Sequence, residues 1–402
     1  MSYTDIPGNV TAPQGFRVSA MNCGVKSDKP DLVLIHSDHP AAVAATLTTN
    51  QFRAAPTYVT ERAVADGHAR TIVANSGNAN CATGAQGMEN AYRMARAAAA
   101  ATGVLPSEVV VCSTGVIGHQ LPIEKIEAGI ATLGGQLGQT DPEIIARAVM
   151  TTDTYPKAVS IEFDLGGVKA RIGGICKGAG MIHPNMATML AFFTTDVGIA
   201  PDLLRQALRD AVKVSFNCIS VDGDQSTNDT VAVLANGACG AACIECESDP
   251  RYAVFAAALR HCCTVQAQRI AFDGEGATKR ITIHVTGARD WDEARQIGRH
   301  LANYTLLKVA YYARDFNWGR IAAAAGAAGV PIDPYRVTID WCGIRTFAAG
   351  EPVPHDMAAG REALAAHDIE VKLHLGLGDA CCTVWTCDLA PGYIEFNAVD
   401  EL

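Results

Sequence analysis

The sequence lacks long apolar segments and long basic segments. Its longest run of small apolar residues, 95–104, is interrupted by Arg96, Thr102 and Gly103 and is too short to cross a bilayer. The net charge is −10, with 32 basic and 42 acidic residues, which argues against nucleic acid or an anionic membrane as the main partner. The first eight residues have neither the positive region nor the apolar core of a secretion signal. We therefore expect a soluble, cytoplasmic protein.

Several common motifs for nucleotide binding and catalysis are absent. Neither G-x-x-x-x-G-K-[ST] nor G-x-G-x-x-G occurs, so no motif supports nucleotide binding. G-x-S-x-G and H-E-x-x-H are missing, and the 11 histidines do not cluster, so a Ser–His hydrolase or a zinc hydrolase has no support. The polar segment from Asp222 to Thr230 resembles a calcium loop, but Thr227 stands where the loop requires glycine and Val233 where it requires an acidic residue. This segment instead suits a tightly hydrogen-bonded loop beside a site.

The 14 cysteines are scattered and form no repeating framework. Cys239, Cys243 and Cys246 include one spacing suited to zinc, but no second pair of ligands follows at a finger-like distance. We expect most of the cysteines to be buried as small apolar residues, with no metal site. A non-catalytic metal or redox protein remains an alternative interpretation.

The chain is long enough for two or three structural units and mixes strand and helix patterns. It has 402 residues, of which 49% are hydrophobic and 18% charged, as in globular proteins. The patterns predict strands at 31–36, 70–74, 108–112, 159–163, 168–172, 280–285, 336–341, 369–375 and 382–389, and helices at 89–102, 121–133, 201–214, 252–271 and 291–306. The pattern of predicted helices and strands changes after Gly287, which predicts a lobe boundary near residue 288.

The segment from Lys177 to Phe193 carries the most specific chemical signal. Glycines and a proline precede Ala187 and Thr188, and an apolar run begins at Met189. A threonine delivered by such a loop to the start of a strand suits a chain that cuts itself at that bond. The freed Thr188 would use its own α-amine, whose pKa is about 7.7–8.0, as the base for its hydroxyl. The alternative is an ordinary loop that enters a core strand.

Two other short segments contain residues that could take part in catalysis or substrate binding. Ser113-Thr114-Gly115 ends a predicted strand at a turn, where a hydroxyl and a backbone N–H can face a developing oxyanion together. Glu275 lies between two glycines and would present a carboxylate on a flexible turn. Each also fits an ordinary turn.

Taken together, these segments resemble the ornithine acetyltransferases, the ArgJ family. The motifs that carry the resemblance are Val73-Ala-Asn-Ser-Gly-Asn-Ala-Asn80, Ser113-Thr-Gly-Val-Ile-Gly118, Met150-Thr-Thr-Asp-Thr154, Lys177-Gly-Ala-Gly-Met181, Pro184-Asn-Met-Ala-Thr-Met-Leu190, Ser226-Thr-Asn-Asp-Thr230, Asp273-Gly-Glu-Gly-Ala-Thr-Lys279 and Asn317-Trp-Gly-Arg320. They extend over nearly the whole chain in order, which favours self-cleavage over the ordinary-strand interpretation of Thr188.

The resemblance implies a self-processing N-terminal-nucleophile enzyme with an α/β fold. The expected architecture is a layered α/β sandwich of the ArgJ and DmpA type with a smaller α+β C-terminal lobe. Cleavage between Ala187 and Thr188 would leave an α chain of residues 1–187 and a β chain of residues 188–402, of which about 288–402 forms the lobe. The two chains would stay associated, commonly as an α2β2 heterotetramer.

The resemblance also implies the chemistry and the site. Thr188 would take acetyl from N-acetylornithine and pass it to glutamate in a ping-pong reaction of arginine biosynthesis, with no cofactor and no metal. Thr114 and Gly115 would be the oxyanion donors. The substrate would be bound by Thr151, Lys177, Thr188, Glu275 and Asn397. Lys177 offers a positive charge for an α-carboxylate and Glu275 a negative charge for an ammonium.

The sequence departs from the family pattern at three positions. Leu402 replaces the usual terminal threonine, Gln225 stands where threonine is common, and Phe316 stands where proline or a small residue is common. We expect these positions to lie near the pocket. They leave open a paralogue that acts on a different N-acyl amino acid, an amidase or aminopeptidase that uses water as the acceptor, and the use of acetyl-coenzyme A as a donor.

Overall fold

The computed structural model describes residues 3–183 and 189–398. The strands are β1 (Thr4–Asp5), β2 (Phe16–Met21), β3 (Leu32–Ser37), β4 (Ala42–Leu47), β5 (Thr71–Asn78), β6 (Val109–Val116), β7 (Lys157–Asp164), β8 (Lys169–Lys177), β9 (Leu190–Thr195), β10 (Thr230–Ala235), β11 (Arg280–Ala288), β12 (Thr338–Trp341), β13 (Ile344–Ala348), β14 (Glu351–Pro352), β15 (Asp368–His374) and β16 (Ala380–Cys387). The helices are α1 (Ala55–Ala63), α2 (Gly84–Thr102), α3 (Ile123–Gly135), α4 (Pro142–Arg147), α5 (Pro201–Lys213), α6 (Pro250–Phe272), α7 (Trp291–Asn303), α8 (Thr305–Ala313), α9 (Gly319–Gly326), α10 (Met357–Ala363) and α11 (Pro391–Asn397).

Two sheets lie face to face at the centre of the molecule. The first has the strand order β1-β7-β8-β9-β10-β4 and the second has the order β2-β3-β5-β6. Their facing side chains form one apolar core, to which Phe192 and Leu234 contribute from the first sheet and Ile35 and Val110 from the second. Helices α1, α2 and α3 cover the outer face of the second sheet, and α5 and α6 cover that of the first. The resulting four-layer α/β sandwich confirms the predicted fold class.

The central strands are apolar at consecutive positions because both of their faces are buried. In β9, Phe192 points into the core between the two sheets, whereas Phe193 packs on the helix side of the first sheet. In β3, Leu34 faces the helices and Ile35 faces the other sheet. Side chains alternate between the faces of a strand, so a strand buried on both sides needs apolar residues throughout.

A third sheet and its helices form the C-terminal lobe. Its strand order is β14-β13-β12-β15-β11-β16, and α7 packs across β11 and β16. Because β11 belongs to this sheet, the lobe includes residues before the predicted boundary near 288. No helix within residues 3–183 and 189–398 has the length and apolarity of a membrane span.

The single helix predicted over 291–306 is wrong. Helix α7 ends at Asn303 and α8 begins after Tyr304, whose backbone is extended at φ −72° and ψ 103°. The new direction of α8 brings the buried Lys308 to the end of β16, where its Nζ donates to Thr386 Oγ1 at 3.1 Å and to the Cys387 carbonyl. The spacing of apolar residues along the sequence gives no information about this contact between Lys308 and β16.

A buried ion triad joins three segments near the ends of the central strands. Lys157 Nζ lies 2.6 Å from Asp153 Oδ1 and 2.5 Å from Asp273 Oδ2, and all three side chains are buried. Burial lowers the pKa of Lys157, but the charges of Asp153 and Asp273 outweigh it, so the net shift is upward. The ammonium therefore stays charged between two carboxylates.

The same carboxylates also accept backbone hydrogen bonds. Asp153 accepts from the N–H groups of Thr151 at 3.0 Å and Gly178 at 2.7 Å. Asp273 accepts from the Thr154 N–H at 3.0 Å and from the Thr154 hydroxyl. The triad thus holds together the loop after α4, the end of β8 and the loop after α6.

We predict that Lys157→Met lowers the free energy of unfolding by about 3–5 kcal/mol, because it leaves two buried carboxylates without their cation. Equilibrium denaturation by urea measures this change. The matched control is Lys169→Met, which removes an ion pair with Glu162 from a lysine whose side chain is 79% exposed. Exposed pairs contribute little, so the control should keep the wild-type midpoint. Equal midpoints for both variants would contradict a stabilising role for the triad.

Candidate active site

A cavity of about 390 Å³ opens where strands of the two central sheets end. Its wall includes the six predicted site residues that lie in the described part of the chain: Thr114, Gly115, Thr151, Lys177, Glu275 and Asn397. The register explains why these distant segments meet. Lys177 of β8 pairs with Leu190 of β9, and Leu190 pairs with Thr230 of β10. The ends of β8, β9 and β10 therefore meet at one edge of the first sheet.

Thr114 and Gly115 lie at the end of β6 in the second sheet. Gly115 has φ +134°, and a Cβ there would collide with the backbone of Gly77 and Asn78. Only glycine fits this approach. Asn228 holds the same edge in place, because its Nδ2 donates to the Ser113 carbonyl at 2.9 Å and to the Ala79 carbonyl at 2.5 Å. The Thr114-Gly115 pair is thus placed by tight backbone packing.

Lys177 brings a cation to the cavity wall although it is only 8% exposed. Burial lowers the pKa of its ammonium, and the negative charge of Asp153 opposes this shift. Asp229 and Glu275 also raise this pKa. A buried cation among carboxylates suits the binding of an anionic group in the cavity.

Glu275 and Asn397 lie together in the cavity wall. Asn397 Nδ2 donates to Glu275 Oε2 at 2.9 Å and to the Tyr393 carbonyl at 2.9 Å. The Glu275 N–H donates to the Ala179 carbonyl at 3.0 Å. Asn397 therefore orients the Glu275 carboxylate and ties it to α11.

Glu275 lies on a turn, as expected, and glycines on and beside this turn allow close packing. A Cβ on Gly276 would collide with the backbone of Gly392 and Tyr393, and a Cβ on Gly180 would collide with the Glu275 carboxylate. The carboxylate lies against the glycine-rich end of β8. Its position is held from both sides.

The polar loop 222–230 has the predicted hydrogen-bonded character. Asp222 accepts from the N–H groups of Met181 at 2.6 Å and Ile182 at 2.8 Å. It thereby fixes the chain that leads toward Ala187 and Thr188. Further along, the loop contributes Ser226, Thr227, Asn228 and Asp229 to the cavity wall.

Asp229 is a site residue to which the sequence assigned no role. It is 1% exposed, lines the cavity, and has a pKa raised well above the ordinary carboxyl value by burial. Its only sequence signal was membership of the Ser226-to-Thr230 motif. Nothing in that pattern shows that the side chain turns inward.

Three predicted positions lie outside the described residues: Ala187, Thr188 and Leu402. Met189, the residue after Thr188 in the chain, is described and lines the cavity. The predicted nucleophile is therefore covalently joined to a residue of the cavity wall.

The expectation that Phe316 lies near the pocket is wrong. Its ring is fully buried in the C-terminal lobe and stacks on Trp341 at a centroid distance of 4.9 Å. A Cβ on Gly360 would collide with this ring, so Phe316 fills a core position. Gln225 is not in the cavity wall either, but it adjoins Ser226 and its Nε2 donates to Thr49 Oγ1 at 2.8 Å.

The cysteines lie apart from this cavity. All 14 are free: three are exposed (Cys243, Cys246 and Cys381), three are partly buried (Cys23, Cys239 and Cys342), and the other eight are buried. Among the residues that the structure describes, no group of three or more His, Cys, Asp or Glu side chains could hold a metal ion.

Comparison with known proteins gives one consistent family. The ArgJ family model matches residues 17–399. The arginine biosynthesis bifunctional protein ArgJ of Chlorobaculum tepidum is 44% identical over 387 residues, which cover 96% of this chain and 95% of that protein. The protein of the same name from Symbiobacterium thermophilum is 43% identical over 396 residues, with 98% of each chain covered.

A solved structure is also similar to part of the chain. The arginine biosynthesis bifunctional protein ArgJ from Bacillus halodurans superposes with a TM-score of 0.51 at 37% identity. The match covers 52% of this chain and 99% of that one. With the family model extending over almost all of the sequence, the chain belongs to the ArgJ family of arginine-biosynthesis enzymes.

Proposed function

We propose that this protein transfers acetyl from N-acetylornithine to glutamate through an acyl-Thr188 intermediate, after it has cut itself between Ala187 and Thr188. The observation that carries the proposal is the single cavity that unites Thr114-Gly115, Lys177 and Glu275 beside Met189. The membership in the ArgJ family supports the same reaction.

The cavity offers complementary charges for an N-acetylated diamino acid. Lys177 pairs with the α-carboxylate, and Glu275, oriented by Asn397, pairs with the side-chain ammonium. Thr151 completes the wall beside Lys177. A volume of about 390 Å³ is within the range of small-molecule sites.

The chemistry uses two acyl transfers. The α-amine of Thr188 accepts the hydroxyl proton while the hydroxyl oxygen attacks the acetyl carbon, and ornithine leaves with that proton. The Thr114 hydroxyl and the Gly115 N–H stabilise the oxyanion of each tetrahedral intermediate. The amine of glutamate then attacks the acyl-Thr188 ester and releases the threonine hydroxyl.

We propose that the two products, residues 1–187 and 188–402, remain one folded unit in which 288–402 belongs to the C-terminal lobe. Strand β8 of the first product pairs with β9 of the second, and β4 of the first pairs with β10 of the second. The Asp153–Lys157–Asp273 triad also joins them. Cutting one peptide bond leaves these contacts in place. We further propose an α2β2 assembly that works in the cytoplasm.

The solved Bacillus halodurans chain is similar in length to one of the two proposed products. That chain matches 52% of this one over 99% of its own length. The predicted second product contains 215 of the 402 residues (402 − 187 = 215), or about 53%. The two fractions agree within a few residues.

Self-cleavage is tested by denaturing mass spectrometry of the purified protein. We predict two fragments for the wild type, of 187 and 215 residues (402 − 187 = 215), and one intact chain for Thr188→Ala, because the alanine has no hydroxyl to attack the bond. The matched control is Thr264→Ala, which changes a threonine on α6 whose hydroxyl donates to the Arg260 carbonyl at 2.9 Å, outside the cavity wall. An intact wild-type chain with full activity would contradict the mechanism.

We predict that Glu275→Gln lowers kcat/KM for N-acetylornithine by about 10- to 100-fold, mainly through KM, because a charge-assisted contact contributes about 1.5–3 kcal/mol. The analogue N-acetylnorvaline, which lacks the ammonium, should react equally with wild type and variant. Glu395→Gln is the matched control, since Glu395 is an exposed residue of the same α11 helix outside the cavity wall. A uniform loss with both donors would contradict the assigned role.

The acceptor is identified by following radiolabelled acetyl. We predict that with N-acetylornithine as the donor the label enters N-acetylglutamate faster than free acetate, because an amine acceptor intercepts the acyl-enzyme before water does. Faster release of acetate would favour the hydrolase alternative. Donors with other acyl amino acids test the paralogue alternative, and acetyl-coenzyme A tests a second donor.

A further inference from the structure

Two buried cysteines face each other where the C-terminal lobe meets the sandwich. Cys218 ends the short 3-10 helix Phe216–Cys218 after α5, and Cys382 belongs to β16 of the third sheet. Their sulfurs lie 3.7 Å apart, and the two residues are only 1% and 5% exposed. Because 164 positions separate them in the sequence, tertiary packing alone makes these two thiols a pair.

Backbone contacts hold the two cysteine-bearing segments together. Ile219, the residue after Cys218, forms a parallel bridge with Trp385 of β16. The Ser220 N–H donates to the Trp385 carbonyl at 3.1 Å. Cys382 itself pairs with Val285 in the ladder between β16 and β11. The contact between the thiols is therefore a fixed feature of the junction between the lobe and the sandwich.

Two arginines of α7 lie beside Cys218. Arg299 Nη1 and Arg295 Nε donate to the carbonyl of Asn217, the preceding residue, at 3.0 and 3.3 Å. The hydrogen bond with Cys382 lowers the pKa of the Cys218 thiol, and both arginine charges act in the same direction against the effect of burial. The same hydrogen bond raises the pKa of Cys382. Cys218 thus supplies the thiolate, which is the nucleophilic form of cysteine, and Cys382 retains its proton.

A second cavity brings solvent close to this pair. It has a volume of about 580 Å³, and its wall includes Arg295 and Arg299. Its described wall shares no residue with that of the substrate cavity. Solvent in it reaches the side chains that contact the residue before Cys218. Because both sulfurs are buried, the oxidant that suits this approach is a small neutral molecule such as hydrogen peroxide.

We propose that Cys218 and Cys382 form a thiol-oxidation site at which a peroxide produces a disulfide that fastens the C-terminal lobe to the sandwich. The Cys218 thiolate attacks one oxygen of hydrogen peroxide, the O–O bond breaks, and a sulfenic acid and hydroxide result. The Cys382 sulfur then attacks the sulfenic sulfur, and the S–S bond forms as water leaves with the Cys382 proton. The hydroxide takes up the proton that Cys218 had released. The two thiols lose two electrons in all, and the peroxide becomes two water molecules.

The disulfide requires only a local movement of the two sulfurs. An S–S bond is about 2.05 Å long, so sulfurs that start 3.7 Å apart approach each other by about 1.7 Å. Both cysteines belong to residues 188–402, so the bond forms within one chain whether or not the Ala187–Thr188 bond is cut. Closing so long a loop restricts the unfolded chain and stabilises the folded one. A thiol reductant restores the pair, as for other transient intracellular disulfides.

The experiment treats the reduced, full-length protein with hydrogen peroxide, alkylates the remaining thiols and analyses the peptides by mass spectrometry without reduction. We expect a linked pair of peptides that contain Cys218 and Cys382, and its loss on addition of dithiothreitol. The thermal unfolding midpoint of the oxidised protein should lie about 2–5 °C above that of the reduced protein.

The matched variants are Cys382→Ala and Cys381→Ala. Cys381 is the exposed neighbour on the same strand, and consecutive residues of a strand face opposite sides. Cys381→Ala should form the same linked pair with the same midpoint shift. Cys382→Ala should form no linked pair, and its Cys218 sulfenic acid should persist and react with dimedone.

The outcomes are independent of the proposed acetyl transfer and self-cleavage, because none of them depends on activity. A wild type in which peroxide leaves Cys218 and Cys382 unlinked would overturn the proposal without any variant. A link from Cys218 to Cys381 instead, or a link that forms only in the urea-unfolded chain, would also overturn it. A linked wild type with an unchanged midpoint would overturn the fastening role of the disulfide.

Discussion

The ammonium of Lys157, buried between two carboxylates, is the constraint on which the cavity depends. Its partners Asp153 and Asp273 each accept backbone hydrogen bonds from a neighbouring segment. Thr151, Lys177 and Glu275 belong to the three segments joined in this way. Taking any one ion out of this group would leave its partners desolvated without compensation. The wall of the cavity is thus organised by three charged side chains that are not themselves part of it.

Burial then determines the chemistry of the charged groups in the wall. It lowers the pKa of Lys177 and raises that of Asp229, although each partly offsets the shift of the other. Perturbed groups that face each other in a cleft are typical of active sites. Two glycines allow close packing around these charged groups. Gly115 lets two strands approach each other, and Gly180 leaves space for the Glu275 carboxylate. The charges of the cavity wall and the close packing that positions them therefore depend on a few neighbouring residues.

The sequence predicted much of the fold because its strongest local patterns were each compatible with only one type of secondary structure. The hairpin of β7 and β8 followed from its central glycines, and α2 ends as predicted at Gly103, whose φ is +72°. The helix over 291–306 failed because a contact of Lys308 with β16 redirects the chain at Tyr304. Phe316 was misplaced for a related reason. Position in a motif does not show whether a side chain turns toward a cavity or into a core.

By itself, the sequence determined the family, the α/β class and the segments that carry chemistry, because ordered motifs and periodic apolar residues are local properties of the chain. The tertiary structure alone decided that Thr114, Lys177, Glu275 and Asn397 share one cavity. It also decided that Asp229 turns inward with an unpaired oxygen, because burial depends on packing between strands far apart in sequence. A pKa shift or a shared wall is a property of neighbours in space, and only the folded chain brings those neighbours together.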